Sequence, residues 1–205
     1  MTLEELWQSA DRALWSEALE GYWTTVAPSR LKVEEEMAAA TAEKVANFDA
    51  EEWWNFLLKF YQWKYTQANR LKTSLNHLHR HDSERGLKHL LTIRDRLLAL
   101  DPADAPTAIH IASRPPGLGI AGATGLLSIL YPAWFGTLDR FVVLALCRVE
   151  PEVREWQELA PNSLEGLGGV MLTHRLRVKA ADLTERLGQS WTPRMVDKVL
   201  WAVRS

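Results

Sequence analysis

At 205 residues the chain is long enough for one well-packed core, or for two lobes sharing one. Apolar residues at 47 % and charged residues at 24 % are ordinary for a soluble globular protein, and the single cysteine, Cys147, excludes a disulfide framework, a four-cysteine iron–sulfur cluster and a zinc ribbon. The formal net charge of −2 conceals a segregation: residues 1–58 carry 12 acids against 4 bases, and residues 59–97 carry 9 bases against 3 acids.

Leu3, Leu6, Trp7, Ala10, Ala13 and Leu14 recur at helical spacing and predict a first helix, with Thr2 and Glu5 as a capping box at its start. Pro28 and Ser29 break the chain before a second helix over roughly 30–46. Asp49 and Glu52 repeat the capping pattern ahead of EEWWNFLLKFYQW. A basic segment follows, then SERGLKHLLTIRDRLLAL, closed by Asp101-Pro102. A short helix is expected near 105–113 and another near 120–131, with a glycine turn between them and Pro132 behind them. LDRFVVLALCRV reads as a buried helix carrying Cys147 as a buried thiol. PEVREWQEL has Pro151 in a first-turn position. GGVMLTHRLRVKAADLTERLG ends at Gly188 as a C-cap, and WTPRMVDKVLWAVRS opens with Thr192 as cap and Pro193 behind it. There is no alternating strand pattern and no repeat. The expected fold is all-α, a compact two-lobed bundle of about ten helices forming a single domain over 1–205.

Residues 1–12, MTLEELWQSADR, hold neither a basic nor an apolar leader segment, so a cytoplasmic location is expected. From Pro115 to Leu138 there are 24 residues without a charge, enough to span a bilayer. Five are Gly and three are Pro, and Pro132 interrupts any helix there, so a hairpin and a buried helix are expected and a membrane segment is not.

Several clusters invite a binding role. The charge segregation suits an anionic partner on one face, or two solvated helix faces of opposite sign that attract each other. HLHRH at 77–81, with His89 and His110, has two imidazoles four apart, but no carboxylate or cysteine completes a metal set by spacing. KFYQWKYTQANRLK interleaves Lys59, Lys64, Arg70 and Lys72 with aromatics, a pattern that suits nucleic acid by stacking and phosphate contact. Phe60 and Tyr61 are expected in the core, and Trp63 and Tyr65 fit either role. Among ten tryptophans, Trp7, Trp53, Trp54 and Trp201 lie at helical spacing and are expected in the core. Trp134, in the loop before Asp139, is the one expected near a pocket, although packing under the loop is the commoner use of such a residue.

RPPGLGIAGATGLL, Arg114 to Leu127, is the most specific stretch. Gly117 and Gly119 are expected to take backbone angles that other residues resist, and Leu118 to point inward as a pin. The helix behind them starts with free N–H groups and a positive dipole end, which suits a phosphate oxygen. A plain turn between two packed helices is the alternative.

PPGLGIAGATGLLSILYPAWFGTLDRFVVLALCRV resembles the helix-hairpin-helix core of the DNA glycosylase superfamily, the endonuclease III and 3-methyladenine glycosylase type. Pro116, Gly117, Leu118 and Gly119 match the hairpin, Ala123 and Thr124 the small-residue helix, and Leu138-Asp139 the hydrophobic-Asp step. The likeness covers roughly 106–150, with the hairpin motif itself over 106–131. It implies duplex-DNA binding, with Arg114, Gly117, Leu118, Gly119, Ile120, Ala121 and Arg140 near the DNA backbone and Asp139 supporting loss of the base from its sugar. It also implies a monovalent cation at the hairpin carbonyls, while the single cysteine leaves no ligand set for an iron–sulfur cluster. Ala121 stands where strand-nicking relatives carry a lysine, so the resemblance implies a monofunctional, hydrolytic glycosylase of DNA repair. Arg140 and Phe141 stand where the family has small or polar residues after its Asp. Asp139 also fits as the cap of the next helix. Two rivals stay open: a non-catalytic DNA-binding module, and a helical protein-interaction protein without DNA affinity, in which the acidic N-terminal part meets a protein partner.

Overall fold

Side-chain caps set most of the helix starts. Among the residues the computed structural model describes, 1–157 and 161–203 (with backbone alone at 157 and 161–167), every regular element is helical. In chain order these are α1 (Leu3–Gln8), α2 (Arg12–Thr25), α3 (Leu31–Ala38), α4 (Ala42–Ala46), α5 (Ala50–Lys64), α6 (Ala68–His79) and α7 (Glu84–Leu98). Then come α8 (Ala105–Ala112), α9 (Ile120–Leu130), α10 (Arg140–Val149), α11 (Pro161–Leu187) and α12 (Pro193–Ala202). The fold class is all-α, and no described helix is long and apolar enough to cross a membrane. Both capping boxes form, Thr2 with Glu5 and Asp49 with Glu52, and Thr192 caps α12.

Three segments differ from the periodicity reading. The first helix is two: Asp11 accepts from the Ala13 N–H and starts α2, while the Ser9 hydroxyl accepts from the Asp11 N–H in the break. The helix expected over 30–46 is also two, because the Thr41 hydroxyl caps α4 through the Lys44 N–H. Pro151–Gln157 is a 3₁₀ turn. In each of the first two, a local oxygen acceptor competes with propagation of the helix.

The chain divides into two compact units, Pro28–Tyr131 and, around it in sequence, Met1–Ala27 with the chain from Pro132 onward. In the central unit α5 packs on α3, α6, α7 and α9. It is buried along most of its length, through Trp53, Trp54, Phe56, Leu57, Phe60, Tyr61 and Trp63. Each such side chain contributes about 1.5–3 kcal/mol by burial. Polar ends are satisfied across helices: the Trp53 indole donates to the Leu90 carbonyl, the Trp63 indole to Glu34, and Arg94 to the Phe48 carbonyl.

In the terminal unit, fully buried Trp15 lies edge-on to Trp191 at 5.3 Å and tilted to Trp7 at 6.0 Å, and its indole donates to the Ser9 carbonyl. Lys179 is buried beside them, with Nζ donating to the Trp7 carbonyl at 2.8 Å and to Asp182 at 3.0 Å. Burial lowers its pKa, an effect that the Asp182 carboxylate opposes. Cys147 is buried and its thiol donates to the Val153 carbonyl. Trp7, Trp53 and Trp54 are core as expected, whereas Trp201 is only half-buried, lying at the edge of the Tyr22 ring.

Candidate nucleic-acid interface

The turn from Ser113 to Gly119 joins α8 to α9, which pack against each other. Gly117 has φ +84°, a left-handed conformation that disfavours every residue with a Cβ. Gly119 does not: at φ −85° and ψ −174° it is ordinary extended backbone, open to any residue. Its place is instead the cap of α9, and no side chain accepts from the first N–H groups of that helix.

Leu118 is buried and pins the turn from below. Its side chain lies against α9: a Cβ added at Gly122 would meet Leu118 Cδ2 at 2.7 Å and the Tyr65 hydroxyl at 2.8 Å. Gly122, Ala123, Thr124 and Gly125 are all buried, which lets α9 approach α5, with Lys64 Cδ 3.2 Å from where a Gly125 Cβ would stand. The exposed parts of the turn are Arg114 and Gly117, with Ile120 and Ala121 half-exposed at the helix start. Arg114 Nη2 lies 2.6 Å from His110 Nε2.

Two residues whose part in the turn sequence reasoning missed hold it in place. The Tyr61 hydroxyl donates to the Pro116 carbonyl at 2.6 Å, and the Tyr65 hydroxyl to the Gly117 carbonyl at 3.3 Å. Burial pushes the Tyr61 phenol far above its usual pKa, with Tyr65 beside it adding to the shift, so it stays a donor. The aromatic run KFYQWKY was the signal, but its spacing carried no information on a partner more than fifty residues away. Trp63 and Tyr65 are both buried. From α6, Ser74 and His77 come up against the turn: a Cβ on Gly117 would lie 2.9 Å from the Ser74 carbonyl oxygen and 3.1 Å from His77 Cβ.

The Pro115, Pro116 and Gly117 carbonyls each accept one hydrogen bond, from the Leu118 N–H, Tyr61 and Tyr65 respectively. Among the described residues no group of three metal-ligating side chains occurs. His81 and His89 stack on each other at 5.9 Å, and His79 lies edge-on to Trp54 at 5.5 Å.

Several bases of 59–97 pair with acids. Lys59 pairs with Glu36 at 2.9 Å, Lys88 with Glu84 and Arg94 with Asp95. The first of these is the attraction between opposite-sign segments. Arg70 is exposed and lies over the Tyr65 ring at 5.5 Å, on the helix that reaches the turn.

Asp139, Arg140 and Trp134 belong to the terminal unit. Asp139 caps α10, its Oδ1 accepting from the Phe141 N–H at 2.8 Å. Arg140 and Phe141 are exposed. The loop ahead of them is tied down by buried Asp197, which accepts from the Thr137 N–H at 3.0 Å and from Arg194 at 2.6 Å. Burial raises the Asp197 pKa; the Arg194 charge and the Thr137 bonds oppose this. Trp134 is exposed, with the Arg177 guanidinium 5.0 Å above its ring and donating to its carbonyl. No protein-family model, no curated protein and no solved structure matches the chain.

Proposed function

We propose that the chain binds duplex DNA through the Pro116–Gly119 turn, and that Asp139 supports hydrolysis of the N-glycosidic bond to a damaged or modified base. The observation that carries the binding half is Gly117, exposed and at positive φ, set just ahead of a helix start with no side-chain cap. Free N–H groups and the positive dipole end offer donors to a phosphate oxygen, and the missing side chain at Gly117 lets α6 close on the turn behind them. Buried Leu118 and the Tyr61 and Tyr65 hydroxyls keep those donors aimed. The base-excision half rests on the likeness to the glycosylase superfamily. A carboxylate at Asp139 would stabilise positive charge on the sugar or orient a water, once the base has left the stack. With Ala121 at the lyase position, no Schiff-base route is proposed.

The Asp139 cap favours a second reading, a DNA-binding module without catalysis, because the carboxylate already has a structural task. Binding is tested by titrating a short duplex with a central abasic-sugar analogue across salt, against intact duplex and the Gly117→Val, Gly119→Val double variant. Preference for the abasic duplex, weakened by salt and lost in the variant, is expected. No binding at low salt would leave the protein-interaction reading in its place. Asp139→Asn then separates the two DNA readings: Asn caps as well as Asp but carries no charge, so loss of base release with a normal fold points to catalysis.

A further inference from the structure

We propose that α6 supplies a second phosphate contact beside the turn, made by Arg70 and His77, with Tyr65 as the residue that positions it relative to the first. This rests on the DNA-binding reading and adds to it a second, side-chain contact. The turn alone offers neutral N–H donors, whereas duplex DNA binding draws most of its affinity from cations placed at phosphate spacing. The α6 face is where the central unit brings such groups to the turn. His77 is exposed, and its Cβ would lie 3.1 Å from a Cβ added at Gly117, which sets it against the turn. Arg70 stands two turns of helix earlier, exposed, with its guanidinium 5.5 Å from the Tyr65 ring centroid. The hydroxyl at the other end of that ring donates to the Gly117 carbonyl. One side chain therefore touches both the arginine and the turn, and fixes the distance between them. On the α8 side, exposed Arg114, which lies against His110, continues the basic rim.

The test is the salt dependence of binding to a short duplex, read by fluorescence anisotropy. Wild type is compared with Arg70→Gln, His77→Gln, Tyr65→Phe and a charge-matched control, Arg96→Gln, at an exposed position on α7. Loss of one phosphate contact lowers the slope of log affinity against log salt by about 1, so the affinity ratio between about 50 and 200 mM salt shrinks about 3.5-fold. Arg70→Gln is expected to show this and Arg96→Gln is not. His77→Gln weakens binding in the same direction. Tyr65→Phe keeps every charge, so it weakens binding with the slope unchanged while its thermal melt stays at the wild-type value; weakening accompanied by a matching fall in melting temperature overturns the positioning role of Tyr65. Wild-type binding with an unchanged slope in Arg70→Gln overturns the α6 contact and leaves the turn reading standing. Equal slope losses in Arg70→Gln and Arg96→Gln overturn it as well, in favour of a diffuse field. No wild-type binding at low salt overturns the turn reading itself.

Discussion

Gly117→Ala tests how far the turn depends on its glycine. Two effects act together. At φ +84° an alanine pays the left-handed penalty, about 1–2 kcal/mol. Its Cβ would also stand 2.9 Å from the Ser74 carbonyl oxygen and 3.1 Å from Ser74 Cα. These are backbone atoms of a packed helix, so α6 has to shift, and overpacking of this kind costs about 1–3 kcal/mol. The combined expectation is about 2–5 kcal/mol. Gly188→Ala isolates the first effect, because Gly188 has φ +62° and nothing within 4 Å of its added Cβ. That variant should lose only about 1–2 kcal/mol. Urea unfolding followed by tryptophan fluorescence gives both values, and native-state hydrogen exchange at α9 amides reads the turn locally. If Gly117→Ala cost no more than Gly188→Ala, the contact between α6 and the turn would be wrong, and the proposed second phosphate contact would lose its footing.

Asp139→Ala should lower stability by about 1 kcal/mol through loss of the α10 cap, while Asp139→Asn stays close to wild type; thermal melts of the pair check this. Tyr61→Phe leaves the Pro116 carbonyl without its buried donor and should cost about 1–3 kcal/mol in urea, with faster exchange around the turn. Glu150 makes a pH prediction. Burial raises its pKa above 4.5, and Arg175 at 3.5 Å opposes this only in part. The folded state thus holds the proton more tightly than the unfolded chain, so this contribution is complete below about pH 4.5 and is lost as pH rises through the folded value. Glu150→Gln should therefore gain on wild type in urea midpoint between about pH 4 and 7; a constant difference would refute the assignment.

The helical class, the capping boxes and the cap at Thr192 were legible because each is a local rule acting within a few residues. The break at Ser9–Asp11 was hidden because Leu6, Trp7, Ala10, Ala13 and Leu14 keep helical spacing straight through it. The acid that starts α2 looks, in sequence, like any polar position on a helix. At the turn, Gly117 announced itself, but Gly119 carried the same letter for a different reason: it caps α9 in extended backbone. The roles of Tyr61 and Tyr65 were not legible, since an aromatic at a helical position fills a core whether or not its hydroxyl reaches a carbonyl more than fifty residues on. Trp201 shows the converse. Its spacing placed it inside, but its position near the end of α12 leaves its ring half-exposed against Tyr22.

The terminal unit is discontinuous, and this bears on how the protein emerges from a ribosome. Residues 1–27 contribute Trp7 and Trp15, yet Trp191 and Lys179, which complete that cluster, are made only after the whole central unit. At about 5–20 residues per second, the intervening stretch takes on the order of 10 s to synthesise. During that interval α1 and α2 lack α10 and α12, the helices they pack on. The central unit, which is one continuous segment, can close first. Pulsed hydrogen exchange during refolding should find α5 and α7 amides protected before those of α2 and α12. The late step is then the docking of two segments distant in sequence, with a loop-closure entropy set by everything between them.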